Sequence, residues 1–225
     1  MKPFFLSAAI FAAATAPISS QAATFDLTGP LAESETFSFV EDGIGLTVST
    51  ALFNDITNVI RGPGSDDVVT RNANGMGVDR FDIPPFLFFP GGEGDPPELN
   101  GSLEGSEMLL FTFDQEVIFN SVSFGEVDGD DDFDLAIDGI FAFEDVTIAP
   151  FNNPFFFTSG ERGTTIGIGA DTFLGAITGG GDDFRVSSIS VTAVPLPATG
   201  LLLFAGVGAL ALGGWRRRRA AEARA

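Results

Sequence analysis

Apolar residues in this chain recur at every second position in short runs, and glycine and aspartate stand between the runs. The pattern runs through TFSFV (Thr36 to Val40), GLTVSTALF (Gly45 to Phe53), EMLLFTF (Glu107 to Phe113) and VIFNSVSFGEV (Val117 to Val127). It continues through FDLAI (Phe133 to Ile137), IFAFEDVTI (Ile140 to Ile148), TIGIG (Thr165 to Gly169) and FRVSSISVTAV (Phe184 to Val194). Such alternation puts successive side chains on opposite faces of an extended strand, whereas a helix lying on a core needs a period of about 3.6. The intervening EDG, FDQ, DGDD, IDG and TGGGDD combine glycine, which tolerates positive φ, with carboxylate side chains that hold turns. The spacing predicts seven or eight short strands in an all-β fold. The expected form is an antiparallel β-sandwich of jelly-roll-like type, with a barrel as the other closed arrangement.

A core for such a sandwich is at hand. Of the 25 phenylalanines, 21 lie between residues 23 and 193. The alternating pairs Phe37 with Phe39, Phe111 with Phe113, and Phe141 with Phe143 are expected to fill the space between the sheets. Each ring then contributes about 2 to 3 kcal/mol. There is no cysteine, so disulfides take no part. Two proline-rich stretches are expected to be long loops: RFDIPPFLFFPGGEGDPPELNGS (Arg80 to Ser102) and APFNNPFFFTSG (Ala149 to Gly160). Their phenylalanines are expected to tuck back over the sandwich edge. Sugar-binding platforms favour Trp and Tyr, and the body has neither.

Charge narrows the range of functions. Thirty of the 31 acidic residues but only five of the 11 basic ones lie in 23–193, a net charge of −25 for that body. Such a surface repels nucleic acid and anionic headgroups. The chain has no histidine, which excludes Ser-His-Asp triads and histidine-ligated zinc sites. Paired-carboxylate chemistry stays open. The densest acidic run, EVDGDDDFDLAIDG, places Asp128, Asp130, Asp132 and Asp134 at alternate positions, where they are candidate calcium ligands. Calcium takes about six to eight oxygens. The run does not follow the EF-hand: counted from Asp128, Phe133 stands where glycine is needed and Gly139 where a bidentate Glu is needed. A solvated turn between two strands accounts for the same residues.

Both ends carry address-like segments. Residues 1–22 have one lysine, an apolar run from Phe4 to Ala16 and the small-residue exit Ser20-Gln21-Ala22. This predicts a secretory signal peptide cut after Ala22 or Ala23. At the other end, Pro195 and Pro197 keep VPLP extended. Residues 198–215 form 18 uncharged positions, long enough as a helix for roughly 27 Å, about the thickness of a bilayer core. Arg216, Arg217, Arg218 and Arg219 follow and orient that span with the acidic body outside and 220–225 as a cytoplasmic tail.

The order VPLPA (Val194, Pro195, Leu196, Pro197, Ala198), apolar helix, arginine cluster resembles the VPLPA-CTERM class of PEP-CTERM sorting signals. The resemblance covers about 30 residues of this end. It implies an exported protein of a Gram-negative bacterium, held for a time in the inner membrane. Its partner would be an exosortase, a multi-spanning processing enzyme that cuts near the motif. Leu196 to Gly200 also reads LPATG, which resembles the Gram-positive sortase signal; the leading Val-Pro and the absence of a spacer favour the former. The domain organisation expected is thus a signal peptide (1–22), an acidic Phe- and Gly-rich body (23–193) and a sorting segment (194–219). The function expected is that of a non-enzymatic surface or matrix protein associated with extracellular polysaccharide. A secreted carbohydrate-active enzyme and a calcium-dependent adhesive module are the alternatives.

Overall fold

The alternating runs form strands. A computed structural model describes residues 22–54, 59–63, 67–79, 98–102, 105–129, 131–148, 152–170 and 182–195, all within the unit Gln21–Leu196. These residues contain fourteen strands and no helix. The first half of the chain contributes β1 (Ala22–Asp26), β2 (Ala32–Ser34), β3 (Thr36–Glu41), β4 (Ile44–Asn54), β5 (Val59–Arg61), β6 (Val68–Asn72) and β7 (Gly75–Asp79). The second half contributes β8 (Leu99–Ser102), β9 (Gly105–Gly125), β10 (Asp132–Ile137), β11 (Ile140–Thr147), β12 (Phe155–Phe156), β13 (Arg162–Gly169) and β14 (Asp183–Ala193).

The surplus over seven or eight comes from short strands without a long apolar alternation, such as β2, β5 and β12, which pairing partners hold extended. β8 and β12 fall inside the two stretches expected to be loops. The rest of the first stretch, 80–97, lies outside the described residues.

All strand pairings are antiparallel, and they build a β-sandwich-like fold from one continuous hydrogen-bonded sheet. In one layer β3 and β5 border β4, followed by the first half of β9, then β13, β10 and β11. In the other, β12 borders the second half of β9, which pairs with β14. The far edge of β14 carries β1 and β7, and β7 leads to β6 and β2.

β9 belongs to both layers. FDQ (Phe113 to Gln115), expected to be a turn, instead lies within this unbroken 21-residue strand. It holds no glycine or proline to reverse the chain. On β13, Thr165 pairs with Thr112 and Gly163 with Val117, so β9 spends extra residues there and bends from one layer into the other.

The core lies between the layers. Phe25 of β1 meets Phe113 of β9 at 6.0 Å, and Phe124 of β9 meets Phe133 of β10 at 4.9 Å between ring centroids. Phe111 and Phe113 are buried in the main core and Phe37 and Phe39 pack against that core, as the alternation predicts.

The pair Phe141 and Phe143 behaves differently. Leu135 pairs with Phe143 and Ala136 with Phe141, so an extra residue on β11 forms a bulge and reverses the alternation. Phe143 packs on the main core, whereas Phe141 joins a second cluster with Ala51, Phe53, Met108 and Ala136. TIGIG serves both sides: Ile166 and Ile168 enter the main core, while Gly167 and Gly169 leave room for Met108 and Phe53. A Cβ on Gly169 would sit 2.4 Å from the Phe53 ring.

The aromatic stretch at 149–160 tucks back in its described part. Phe155 and Phe157 pack on the core, and Phe156 between them is 63% exposed. Asn153 fastens the segment by accepting from Phe124 N at 3.0 Å and donating to Phe124 O at 2.9 Å.

The start of β1, the end of β14 and two turns share one pole of the sandwich, beside the β9 corner. Ala22 pairs with Thr192 and Ala193 pairs with Val117. EDG and IDG turn there, with both central residues at positive φ: Asp42 and Gly43 at 50° and 79°, Asp138 and Gly139 at 48° and 80°. That geometry matches the twist of a two-residue hairpin. The opposite pole holds the start of β14 and the loop from β9 to β10.

Candidate functional site

The acidic run begins at that opposite pole, and its Asp131 and Asp134 carboxylates serve the backbone. The Asp131 side chain is 1% exposed and accepts from Asp128 N at 2.5 Å and from Asp183 N at 3.0 Å. Asp182 accepts from Asp132 N at 2.9 Å, which ties the loop to the beginning of β14. Of the four candidate calcium ligands, Asp130 lies outside the described residues. Asp128 is exposed on the bend. Asp132 and Asp134 sit on β10 on the face opposite Phe133 and Leu135, as the alternation predicts. Asp134 is fully buried and accepts from Asp145 N at 2.9 Å, where β11 adopts positive φ and bulges. Among the described residues, no three acidic side chains form a group able to hold a metal ion.

Beside this loop is a charge cluster that the sequence reading did not single out. Arg185 is the largest wholly buried side chain among the described residues, 1% exposed. Its Nε donates to Glu126, and Nη1 donates to Thr70 Oγ1 at 3.3 Å. Glu126 also accepts from Asn74 Nδ2 and sits at φ 56°. Burial raises the Glu126 pKa, but the hydrogen bonds from Asn74 and Arg185 and the guanidinium charge outweigh it and hold the carboxyl below its ordinary value. Glu98, which touches Glu126, goes the other way. Partial burial and then the charges of Glu126 and Asp183 push it up, and Arg185 offsets only part of this.

Two glycines let the Asn72–Gly75 turn reach this cluster. A Cβ on Gly125 would lie 2.1 Å from Asn74 O, and one on Gly75, at φ 136°, would lie 2.5 Å from Val186 O. A signal was present in the sequence: one arginine inside an apolar strand of a body carrying −25 must find a carboxylate when the strand is buried.

Near the corner pole, an apolar cleft of about 310 Å³ lies between the β3–β4 hairpin and β9, lined by Phe39, Val40, Leu46 and Phe113 among others. Among the described residues, Asp114 is the one acidic residue on its wall.

Of the sorting segment, the described part is Val194 and Pro195. Val194 N donates to Glu116 O at 3.0 Å, extending the β14–β9 ladder by one residue, and Pro195 is exposed. Leu196, Pro197, Ala198, the 198–215 span and Arg216 to Arg219 lie outside the described residues, as do residues 1–21. Comparison of the chain with known protein families, curated proteins and solved structures gives no match.

Proposed function

We propose that this chain is an exported, non-enzymatic surface or matrix protein. An acidic β-sandwich of jelly-roll-like form would be carried out of the cell behind a signal peptide. It would then be held in the inner membrane by a C-terminal span until a sorting enzyme of the exosortase type acts at Val194–Ala198. The observation that carries the reading is the coincidence of fold and signals. The first strand begins at Ala22, where the signal-peptide pattern ends, and the last strand ends at Ala193, where VPLPA begins. A β body set between two address segments has the order of a cargo protein.

The disposition of acids supports a non-catalytic role. Asp131, Asp134 and Asp182 accept main-chain hydrogen bonds, and Glu126 is bound to Arg185. A glycosidase would instead need two carboxyls facing each other across a groove, about 5 to 10 Å apart. Association with extracellular polysaccharide is the partner proposed, through hydroxyl contacts to an acidic, soluble surface.

The test is cell fractionation of the wild-type chain and of a variant with Val194–Ala198 scrambled. The wild type is expected outside the inner membrane and the variant retained there. Equal distribution of the two would refute the sorting role.

A further inference from the structure

A strand at the edge of a sheet presents unpaired N–H and C=O groups, and proteins blunt such edges with short strands, bulges, proline or lysine. Among the described strands with one pairing partner, β2 and β5 have three residues each and β12 has two. β11 is bulged against β10 and turns to positive φ at Asp145. β1 has five residues and an acid at one end only, Asp26, whose carboxylate accepts from Thr28 N at 3.0 Å and Thr28 Oγ1 at 2.7 Å. β3 has no bulge, proline or lysine. Its six residues, TFSFVE, pair with β4 in unbroken register from Thr36 with Ser49 to Glu41 with Ile44, and with no other described strand.

The hairpin turn fixes which of its groups face outward. Asp42 and Gly43 form a two-residue loop, so Glu41 and Ile44 exchange both main-chain hydrogen bonds. The same holds at every second pair, Phe39 with Leu46 and Phe37 with Val48. The N–H and C=O of Thr36, Ser38 and Val40 therefore point away from β4. Thr36 N donates to Ser34 Oγ at 3.4 Å; among the described residues nothing else meets these outward groups. Phe37 and Phe39 pack on the main core, which leaves Ser38 and Val40 on the outer face, Val40 73% exposed.

Acids stand at both ends of this edge. Glu33 and Glu35 precede β3, Glu41 and Asp42 close it, and all four are exposed. Glu35 and Glu41 are roughly 20 Å apart along the strand. One cation is near, Arg71, whose guanidinium lies over the Phe37 ring at 5.1 Å. The apolar cleft opens beside the same strand, with Ser38, Phe39 and Val40 in its wall. A second copy of the chain would match the backbone pattern but bring the same acids, and a body charge of −25 opposes that pairing.

From the free backbone, the flanking acids and the cleft together, we infer that β3 is a docking edge for an extended, basic segment of a partner protein. Such a segment adds as a further strand, its main chain bonded to Ser38 and Val40. Lysine or arginine side chains at its ends meet Glu33 and Glu35 on one side and Glu41 and Asp42 on the other, and an apolar side chain enters the cleft beside Val40.

The test is fluorescence anisotropy of a labelled peptide, Lys-Arg-Thr-Val-Thr-Leu-Arg-Lys, with the full-length chain in a neutral detergent. Two further peptides are compared: one N-methylated at its four central residues, and one with glutamate in place of every basic residue. The first peptide is expected to bind, the methylated one at least about tenfold more weakly, and the acidic one not at all. Ser38→Pro removes an outward N–H without touching the β4 ladder and is expected to weaken binding about tenfold. Glu35→Gln with Glu41→Gln is expected to weaken it about fivefold at low salt, a difference that disappears at high salt. Circular dichroism checks that Ser38→Pro folds, and the methylated peptide puts the same question to the wild-type chain.

Equal affinity for the methylated peptide, indifference to the two Glu→Gln changes, binding of the acidic peptide, or no binding of any peptide up to about 1 mM would overturn the inference. Self-association of the peptide-free chain that Ser38→Pro abolishes, seen by sedimentation, would assign the edge to a second copy and overturn the basic partner.

Discussion

The Arg185–Glu126 pair gives the sharpest energetic prediction. Arg185 is 1% exposed, and its carboxylate partner keeps 30% of its side-chain surface in solvent. Breaking a buried pair by removing one partner costs about 3 to 5 kcal/mol, because the remaining charge is left uncompensated. The solvent on Glu126, and the nearness of Glu98 to the guanidinium, reduce that figure. Glu126→Gln is therefore expected to cost about 2 kcal/mol. For a body of this size that lowers Tm by roughly 4 to 8 °C. Arg185→Met removes the charge, keeps apolar volume and loses the Thr70 hydrogen bond, for about 1 to 2 kcal/mol. With both changes no buried charge is stranded, so the double variant should lose less than the two single losses together, by about 1 to 2 kcal/mol. Urea unfolding of the four chains, followed by the β-sheet circular dichroism band, measures the cycle. Additivity within about 0.5 kcal/mol, or a Glu126→Gln curve overlying wild type, would refute the reasoning.

Glu98 sets a pH-dependent counterpart. Its carboxyl is raised, so its contribution to stability is complete below the ordinary value of 4.5 and is lost as pH rises through the raised one. Glu98→Gln should accordingly stabilise the fold at neutral pH, and the gain should shrink as pH falls through the raised value and be gone below 4.5. Glu126, lowered, behaves oppositely: its contribution is present above 4.5 and lost on acidification, so wild type should lose stability there faster than Glu126→Gln. Gly125→Ala must push the Asn72–Gly75 turn off β9, because backbone stands 2.1 Å from the new Cβ; a loss of about 3 kcal/mol is expected in the same unfolding assay. Phe133→Ala, which empties a site between Phe124 and Phe155, should cost about 3 to 5 kcal/mol, whereas Phe156→Ser on the solvent face of β12 should change stability by less than about 0.5 kcal/mol.

Period-two runs marked the long strands because burial on one face demands them. β3, β4, β10, β11 and β14 begin and end within a residue or two of the runs that announce them. What periodicity could not carry was context. β9 crosses both layers through FDQ, and only its partners, β13 and β14, define the corner. The bulge on β11 that sends Phe141 to the second cluster depends on register with β10, a non-local property. β12 escaped notice because two prolines, Pro150 and Pro154, shortly precede its two strand residues, Phe155 and Phe156. The acidic run was visible as charge, but its role in capping the amides of Asp128, Asp145 and Asp183 required knowing which backbone came near. Arg185 was visible as an isolated cation, yet nothing local to FRVSSISV points to Glu126, 59 residues away.

The mass of the protein recovered from the cells that make it bears most directly on the proposed cargo role. An amino end at Ala23 together with a carboxyl end between Pro195 and Ala198 is the predicted result. A carboxyl end at Thr199 would transfer the second cut to a sortase-type enzyme. A chain running intact from Met1 to Ala225 would contradict the account.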